Sequence, residues 1–375
     1  MPDIVFITTS YPKGVSGSEA AGSFVQDFVE EAAKYCRVRV IAPGAREEIE
    51  RDAIEVYRYH TPERPLSSLN PCKPNDWYHI IATLNSGQRM LEQACSDRRI
   101  DHIMALWALP SGFWAQRTHQ KRSIPYSIWA LGSDIWSLAK IPGVNRILKS
   151  VLKSAAYRFA DGIELCRDVE KIAGQNCTFL PSVRQLNPPQ KPHLALAPPY
   201  RLAFLGRWHK NKGIDLLLEA LELLDAESWS NIQSLTIAGG GGLEELVKQK
   251  VTTLQARNLP LECLGYLDKK AASQLLIDSD YLLLPSRIES IPVIFSDAMH
   301  CRCPLIAMPV GDLPLLAEKY RSCLLAESVS AQAYAEAIKE ALNRAPAGFS
   351  SCFEQAQSDF SVTNSIQSWL ELIRL

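Results

Sequence analysis

Short runs of consecutive apolar residues alternate along this chain with longer stretches whose apolar residues recur every three or four positions. Residues 4–8, 38–42, 102–106 and 126–130 are runs of the first kind and predict buried strands; residues 162–165 are predicted as another. Residues 22–35, 77–95 and 144–159 carry the helical spacing. The alternation resumes at residue 201, continues to residue 343, and is followed by a last predicted helix over 362–374. Strand, helix, strand in repetition predicts an α/β protein with parallel sheets.

One stretch interrupts the pattern. Pro181, Pro188, Pro189, Pro192, Pro198 and Pro199 crowd a short segment, where neither a helix nor a central strand can continue. It predicts a linker over 184–199 between a first domain, 1–183, and a second, 200–358. A length of 375 residues fits two domains better than one core.

Two strand-to-helix loops in the second half carry candidate chemistry. The apolar run 281–284 leads into PSRIESIPVIFSDAM, residues 285–299, with a turn at Pro285-Ser286 and a helix opening near Pro292. Glu289 falls on the loop and Asp297 inside the helix, just over two turns apart, so both are placed on one face. Free backbone N–H groups at the helix start, around Ile291 and Val293, make a ready anion site. Carboxylates beside it can accept hydrogen bonds from hydroxyls, a combination that suits a nucleotide sugar. The second loop follows the strand 201–206. Gly206 ends the strand, Arg207 and Lys212 flank a basic turn that closes at Gly213, and a helix starts at Ile214. Two fixed cations on such a loop can clamp a diphosphate. Trp208 reads as a packing residue ahead of a stacking platform.

GRWHKNKGIDLLLEAL followed by PSRIESIPVIFSDAMHCRCPLIAMPVGDLP resembles the second half of the retaining group-1 glycosyltransferases, family four, with the GT-B fold. That family shows a G-R-x4-K-G loop and, some 75 residues on, an acid-x7-Glu pair before a helix. SYPKGVSGSEAAGSFVQDF is similar to its opening loop and first helix, ALWALPSGFWAQR and IPYSIWALGSDI to its mid-domain strands, and LTIAGGGGLEELVKQKV to its strand, glycine turn and helix. The resemblance implies two Rossmann-like β/α/β domains facing a cleft, with helix 359–375 packing back on the first. It implies transfer of a sugar, with retention, from a UDP- or GDP-linked donor to a glycan or lipid-linked acceptor in polysaccharide or cell-envelope glycan synthesis. By the same resemblance Arg207 and Lys212 take the diphosphate, Glu289 the donor sugar hydroxyls and Asp297 the ribose. Gly14 and Gly206 make room for the phosphates, Ile291, Pro292 and Val293 border them, and Asp134 meets the sugar or the acceptor. No cofactor beyond the donor is expected, and catalysis is expected to be metal-independent.

The chain departs from the family pattern at four places. Asp297 stands where Glu is usual. Leu131-Gly132-Ser133-Asp134 stands where many members have His-Gly-x-Asp. Asp312 replaces the second glycine of a Gly-Gly turn. Ser182-Val183-Arg184 replaces an Asn-Gly-Val-Asp stretch after Leu180-Pro181. The loss of the histidine motivates one alternative, a binding or regulatory subunit that kept the fold without chemistry. A sugar-nucleotide epimerase on a related scaffold is a second.

At 47% hydrophobic and 22% charged, the composition is that of a globular protein. A net charge of -1 argues against general nucleic-acid binding. No apolar run is long enough to span a bilayer. Met1-Pro2-Asp3 leads straight into a strand with no charged leader, so a cytoplasmic protein is expected, and its ten scattered cysteines read as reduced structural thiols. One local bias remains. Between Arg117 and Arg158 Asp134 is the single acid, while Arg146, Lys149 and Lys153 share a helix face opposite Leu148, Val151 and Leu152. A basic amphipathic helix of this kind, 144–158, can rest on an anionic leaflet, giving a peripheral place on the inner face of the membrane.

Overall fold

The computed structural model describes residues 1–13, 22–62, 73–141, 143–188, 191 and 194–374. Contacts divide the chain into two units, Met1–Ser182 with Val362–Leu375, and Val183–Ser361.

In the first unit the order is β1 (Asp3–Ile7), α1 (Ser23–Ala32), β2 (Arg37–Gly44), β3 (Glu48–Arg51), β4 (Glu55–His60), α2 (Pro74–Ala94), β5 (His102–Leu106), α3 (Ser111–Arg122), β6 (Tyr126–Ala130), α4 (Ser133–Trp136), α5 (Val144–Ser154), β7 (Tyr157–Ala160), α6 (Ile163–Ala173) and β8 (Thr178–Phe179). The sheet runs β3-β4-β2-β1-β5-β6-β7-β8, with β3 antiparallel to β4 and the remaining pairs parallel. Every residue of β1, β5 and β6 is buried, as central strands covered on both faces require.

The second unit continues with β9 (Tyr200–Arg207), α7 (Ile214–Glu222), α8 (Ala226–Ser230), β10 (Ile232–Gly240), α9 (Glu244–Gln255), β11 (Leu261–Leu264), α10 (Lys269–Asp278), β12 (Tyr281–Leu284), α11 (Val293–His300), β13 (Leu305–Ala307), α12 (Leu313–Tyr320), β14 (Cys323–Leu325), α13 (Ala331–Leu342) and α14 (Glu354–Asp359). Its sheet is parallel throughout, in the order β11-β10-β9-β12-β13-β14. The chain therefore reverses its direction of winding between β9 and β12. Those strands pair only at Leu202 with Tyr281 and Ala203 with Leu282, and beyond these residues they part. A crevice outside the carboxyl ends of strands at such a switch point is where ligands of doubly wound folds bind.

The last helix, α15 (Val362–Ile373), belongs to the first unit. Trp369 is fully buried against Phe6 and Phe28, with ring centroids 5.5 and 5.7 Å away, and Thr363 Oγ1 donates to Glu31 at 3.0 Å. The proline-rich stretch counts with the second unit. Lys191 is buried with its ammonium on the Ser279 carbonyl, and the Ala347 amide donates to Ala195 at 3.1 Å.

Two expectations are corrected. The helix predicted over 144–159 stops at Ser154, and the strand placed at 162–165 is Tyr157–Ala160. Gly162 is extended and precedes α6, whose buried Leu165, Cys166, Val169 and Ala173 recur at helical spacing. Arg158 thus lies on β7, outside the basic helix. The β3–β4 pair was not predicted at all. No described helix is long and apolar enough to cross a membrane.

Replacing Trp369 by Ala removes the largest side chain between α15 and α1. An expected loss of about 3–5 kcal/mol should appear in urea unfolding as an earlier transition of the first unit.

Candidate active site

The two loops at the switch point are held together by the chain's own chemistry. Gly213 sits at φ +68°, and a Cβ there would lie 1.8 Å from the Pro285 carbonyl oxygen, so only glycine lets the β9–α7 loop lie against the β12–α11 loop. Arg287 then reaches across. Its guanidinium donates to Asp215 at 2.6 and 3.0 Å and to the Lys210 carbonyl at 2.7 Å, while its amide donates to Asn211 at 2.8 Å. A planar fork on a carboxylate fixes orientation as well as distance. The ion pair holds the Asp215 carboxyl below its ordinary range, although partial burial opposes it.

Inside this clamp Lys212 Nζ donates to Glu289 Oε1 at 2.6 Å, and Ser286 Oγ donates to the same oxygen at 2.7 Å. The Lys212 side chain is 29% exposed and that of Glu289 is 9% exposed, so the ammonium is the more open partner. A third loop backs the second. Gly311, at φ +54°, leaves no room for a Cβ, which would lie 2.2 Å from the Glu289 carbonyl oxygen, and the Asp312 amide donates to Ser290 at 3.2 Å. Ile291 and Pro292 are buried, and Pro292 caps α11 without a side-chain hydrogen bond. The first amides of α11, beginning at Val293, point back toward these loops.

The remaining residues expected at the site fall in different places. Arg207 is exposed at the end of β9, and no carboxylate pairs with it among the described residues. Gly206 pairs with Gly239 of β10 one residue earlier. Trp208 is buried, its amide on the Gly240 carbonyl at 2.7 Å, which is the packing role. Asp297 is 0% exposed and takes Arg184 on both oxygens, Nε on Oδ1 at 3.2 Å and Nη2 on Oδ2. Gly14 lies outside the described residues.

Asp134 is in the first unit, fully buried. Its Oδ2 accepts the Ala108 amide at 2.6 Å and its Oδ1 the Leu131 amide at 3.2 Å. It ties the loop after β5 to the loop after β6, and the structure gives both oxygens main-chain partners. Burial pushes its carboxyl up to about 6, against the pull of those amides. Its ordinary value is 3.8, so between about pH 4 and 6 the folded chain keeps a proton that the unfolded chain has released. The group's contribution to stability therefore falls as pH rises through that window. Arg58, also buried, donates to the Tyr11 and Pro12 carbonyls at 3.2 and 2.9 Å and braces the chain leading toward Gly14.

Arg287, Asp215, Ser286, Gly311 and Arg184 went unassigned in the sequence. Arg287 and Ser286 lie within the PSRIES segment, so their neighbourhood was visible; the partners were not.

Residues 199–344 match the family model of the group 1 glycosyl transferases. TuaC of Bacillus subtilis, assigned by name as a teichuronic acid biosynthesis glycosyltransferase, is 29% identical over 249 residues, 64% of this chain and 60% of that protein. The chain thus matches less than two thirds of that relative's length. Sucrose-phosphate synthase of Thermosynechococcus elongatus superposes with a TM-score of 0.76 at 17% identity, over 100% of this chain and 98% of that one. Anabaena HepE, solved with UDP-glucose, superposes at 0.70 with 16% identity over 99% of each. The fold is that of the GT-B glycosyltransferases, and the chain is related to glycosyltransferase enzymes.

Gly213→Ala should cost about 2–3 kcal/mol through positive-φ strain and the displaced Pro285 carbonyl. Gly348→Ala, where a Cβ meets nothing within 4 Å, is the control and should stay within about 0.5 kcal/mol in the same chemical denaturation.

Proposed function

We propose that the chain is a retaining glycosyltransferase of family four that moves a sugar from a UDP- or GDP-linked donor to a glycan or lipid-linked acceptor in polysaccharide or cell-envelope glycan synthesis. The observation that carries this is the Lys212–Glu289 pair, held by Arg287 and Asp215 at the switch point of the second sheet. It sets a cation and a carboxylate side by side, as a donor with a diphosphate at one end and a polyol at the other requires. The UDP-glucose in HepE's structure supports the choice of donor class.

In this reading Arg207 and Lys212 take the diphosphate, whose charge grows as the sugar bond breaks, and preorganised cations lower the barrier most at that point. The amides from Ile291 to Val293 add donors. Glu289, released from Lys212, accepts the sugar hydroxyls. The leaving phosphate helps deprotonate the acceptor. Arg207→Ala and Lys212→Ala should each weaken UDP or GDP binding by about 1.5–3 kcal/mol. Glu289→Gln should lower turnover on the order of 10²-fold while nucleotide affinity is kept or rises, since the Lys212 ammonium loses its competing carboxylate. Calorimetric titration beside a transfer assay checks both. A chain that binds nucleotide and neither transfers nor hydrolyses the donor would instead be a binding subunit.

The acceptor is presented at a membrane. Arg146, Lys149 and Lys153 are exposed on α5, while Leu148, Val151 and Leu152 bury its other face. Replacing the three cations by Gln should cost about 3 kcal/mol of affinity for anionic vesicles, at about 1 kcal/mol per charge. The wild-type attraction should fade with salt. Co-sedimentation at two ionic strengths reads it, and indifference to anionic vesicles at low salt removes the membrane from the proposal.

A further inference from the structure

Among the described residues nine cysteines are free thiols, and two of them are brought together by the fold of the first unit. Cys166 is on α6, and Cys177 stands immediately before β8, the edge strand of the first sheet. One helical turn beyond Cys166, on the same side of α6, Glu170 accepts the Cys177 amide at 3.0 Å. Arg158 of β7 donates to the Asn176 carbonyl at 3.0 Å and so holds the preceding residue as well. Thr178 and Phe179 then pair with Phe159 and Ala160, and the Cys166 sulfur lies 4.0 Å from the carbonyl oxygen of that same Ala160. The two thiols interact directly. Hydrogen bonding with Cys166, and then burial, pushes the Cys177 thiol well above its ordinary range. Cys177 is half-buried and reachable from solvent, whereas Cys166 is 8% exposed. Cys301 and Cys303 are closer in sequence but differ. Both are buried, and their sulfurs turn to separate carbonyls, that of Ser273 at 3.8 Å and that of Ser279 at 3.7 Å.

We infer that Cys166 and Cys177 are a modification site, a dithiol that a peroxide converts to a reversible disulfide between α6 and the loop entering β8. Cys177, the more open thiol, reacts first. The Arg158 guanidinium beside it favours its thiolate, against the pull of the hydrogen bond. The proton leaves to solvent, and the sulfur attacks one peroxide oxygen. The O–O bond breaks, the second oxygen leaves as hydroxide and becomes water, and Cys177 is left as the sulfenic acid. The Cys166 sulfur, its own proton lost to solvent, then attacks the Cys177 sulfur. The S–S bond forms, the S–O bond breaks, and the departing hydroxide becomes a second water. Two thiols give up two electrons, which the peroxide takes. A thiol reductant reverses the link by exchange. β8 has two residues and a single neighbour in the sheet, so the disulfide gives this short edge strand a covalent tie to α6.

The test is oxidation of the full chain by hydrogen peroxide in mildly alkaline buffer, followed by alkylation, digestion and mass spectrometry. The dose is raised until the half-buried Cys263 and Cys352 react. A linked pair of peptides carrying Cys166 and Cys177 is expected below that dose, and dithiothreitol should restore both thiols. Recovery of both as alkylated thiols once Cys263 and Cys352 have reacted overturns the inference. So does a Cys177 linked chiefly to another cysteine, or one carried on to sulfinic acid while Cys166 stays alkylated. Cys166→Ser removes the second thiol and should leave a sulfenic acid on Cys177, trapped as a dimedone adduct. Its absence overturns the order of attack. The mapping in the unaltered chain decides the site whether or not the variant folds.

Discussion

The candidate site depends on one close approach, that of Gly213 to the Pro285 carbonyl. The strands β9 and β12 are paired at only two positions before they part, so nothing in the sheet itself brings their following loops together. A glycine at φ +68° does so, because any Cβ would collide with the main chain of the other loop. Once the loops touch, Arg287 can span to Asp215 and to two main-chain carbonyl groups, and Lys212 comes within reach of Glu289. The third loop, with Gly311 against the Glu289 carbonyl, closes the arrangement from behind. Steric permission comes first, and the ion pairs set orientation on top of it.

Buried charge is handled the same way in both units. Asp134 is held by two amides, Arg58 by main-chain carbonyls and Glu50, and Asp297 by Arg184. The longest of these ties span 26 residues from Asp134 to Ala108, 46 from Arg58 to Pro12 and 113 from Arg184 to Asp297. A buried ion that loses its partner is costly, so these ties define one geometry for the loops they join. That rigidity is what a site needs if its groups are to be in place before the ligand arrives.

The parts of this architecture that were legible in the sequence are those set by local pattern. Apolar runs flanked by helical spacing gave strands His102–Leu106 and Tyr126–Ala130 at their observed bounds, and Pro292 marked the start of α11. The pattern failed where two signals overlap. Basic and apolar residues keep their helical rhythm through 144–154 and run without a break into Tyr157-Arg158-Phe159, which pair with β6 as a strand. The β3–β4 hairpin also escaped, since β3 is half-exposed and rich in charge, and the buried stretch of β4 is broken by Arg58. At the site, Lys212 and Glu289 were recognisable from their loops. That they touch was not, nor that Asp297 is occupied by Arg184, because a pairing across 113 residues leaves no mark in either segment alone.

The chemistry of the cations distinguishes the pairs that brace from the one that can exchange. Arg287 and Arg184 engage their carboxylates with two nitrogens each, and a planar fork loses both bonds if it moves. Lys212 holds Glu289 through a single ammonium on a flexible stem, and it is the more exposed partner. On the proposed function, a diphosphate entering beside Arg207 would compete for that ammonium with more negative charge than one carboxylate has. Lys212 could turn to it without disturbing Arg287, because the clamp does not pass through Lys212. Glu289 would then be released as an acceptor beside a polyol, with Ser286 and the Gly311 loop still next to it. On that reading, the lysine in this one place, with arginines in the other two, would let a rigid frame carry a pair that opens.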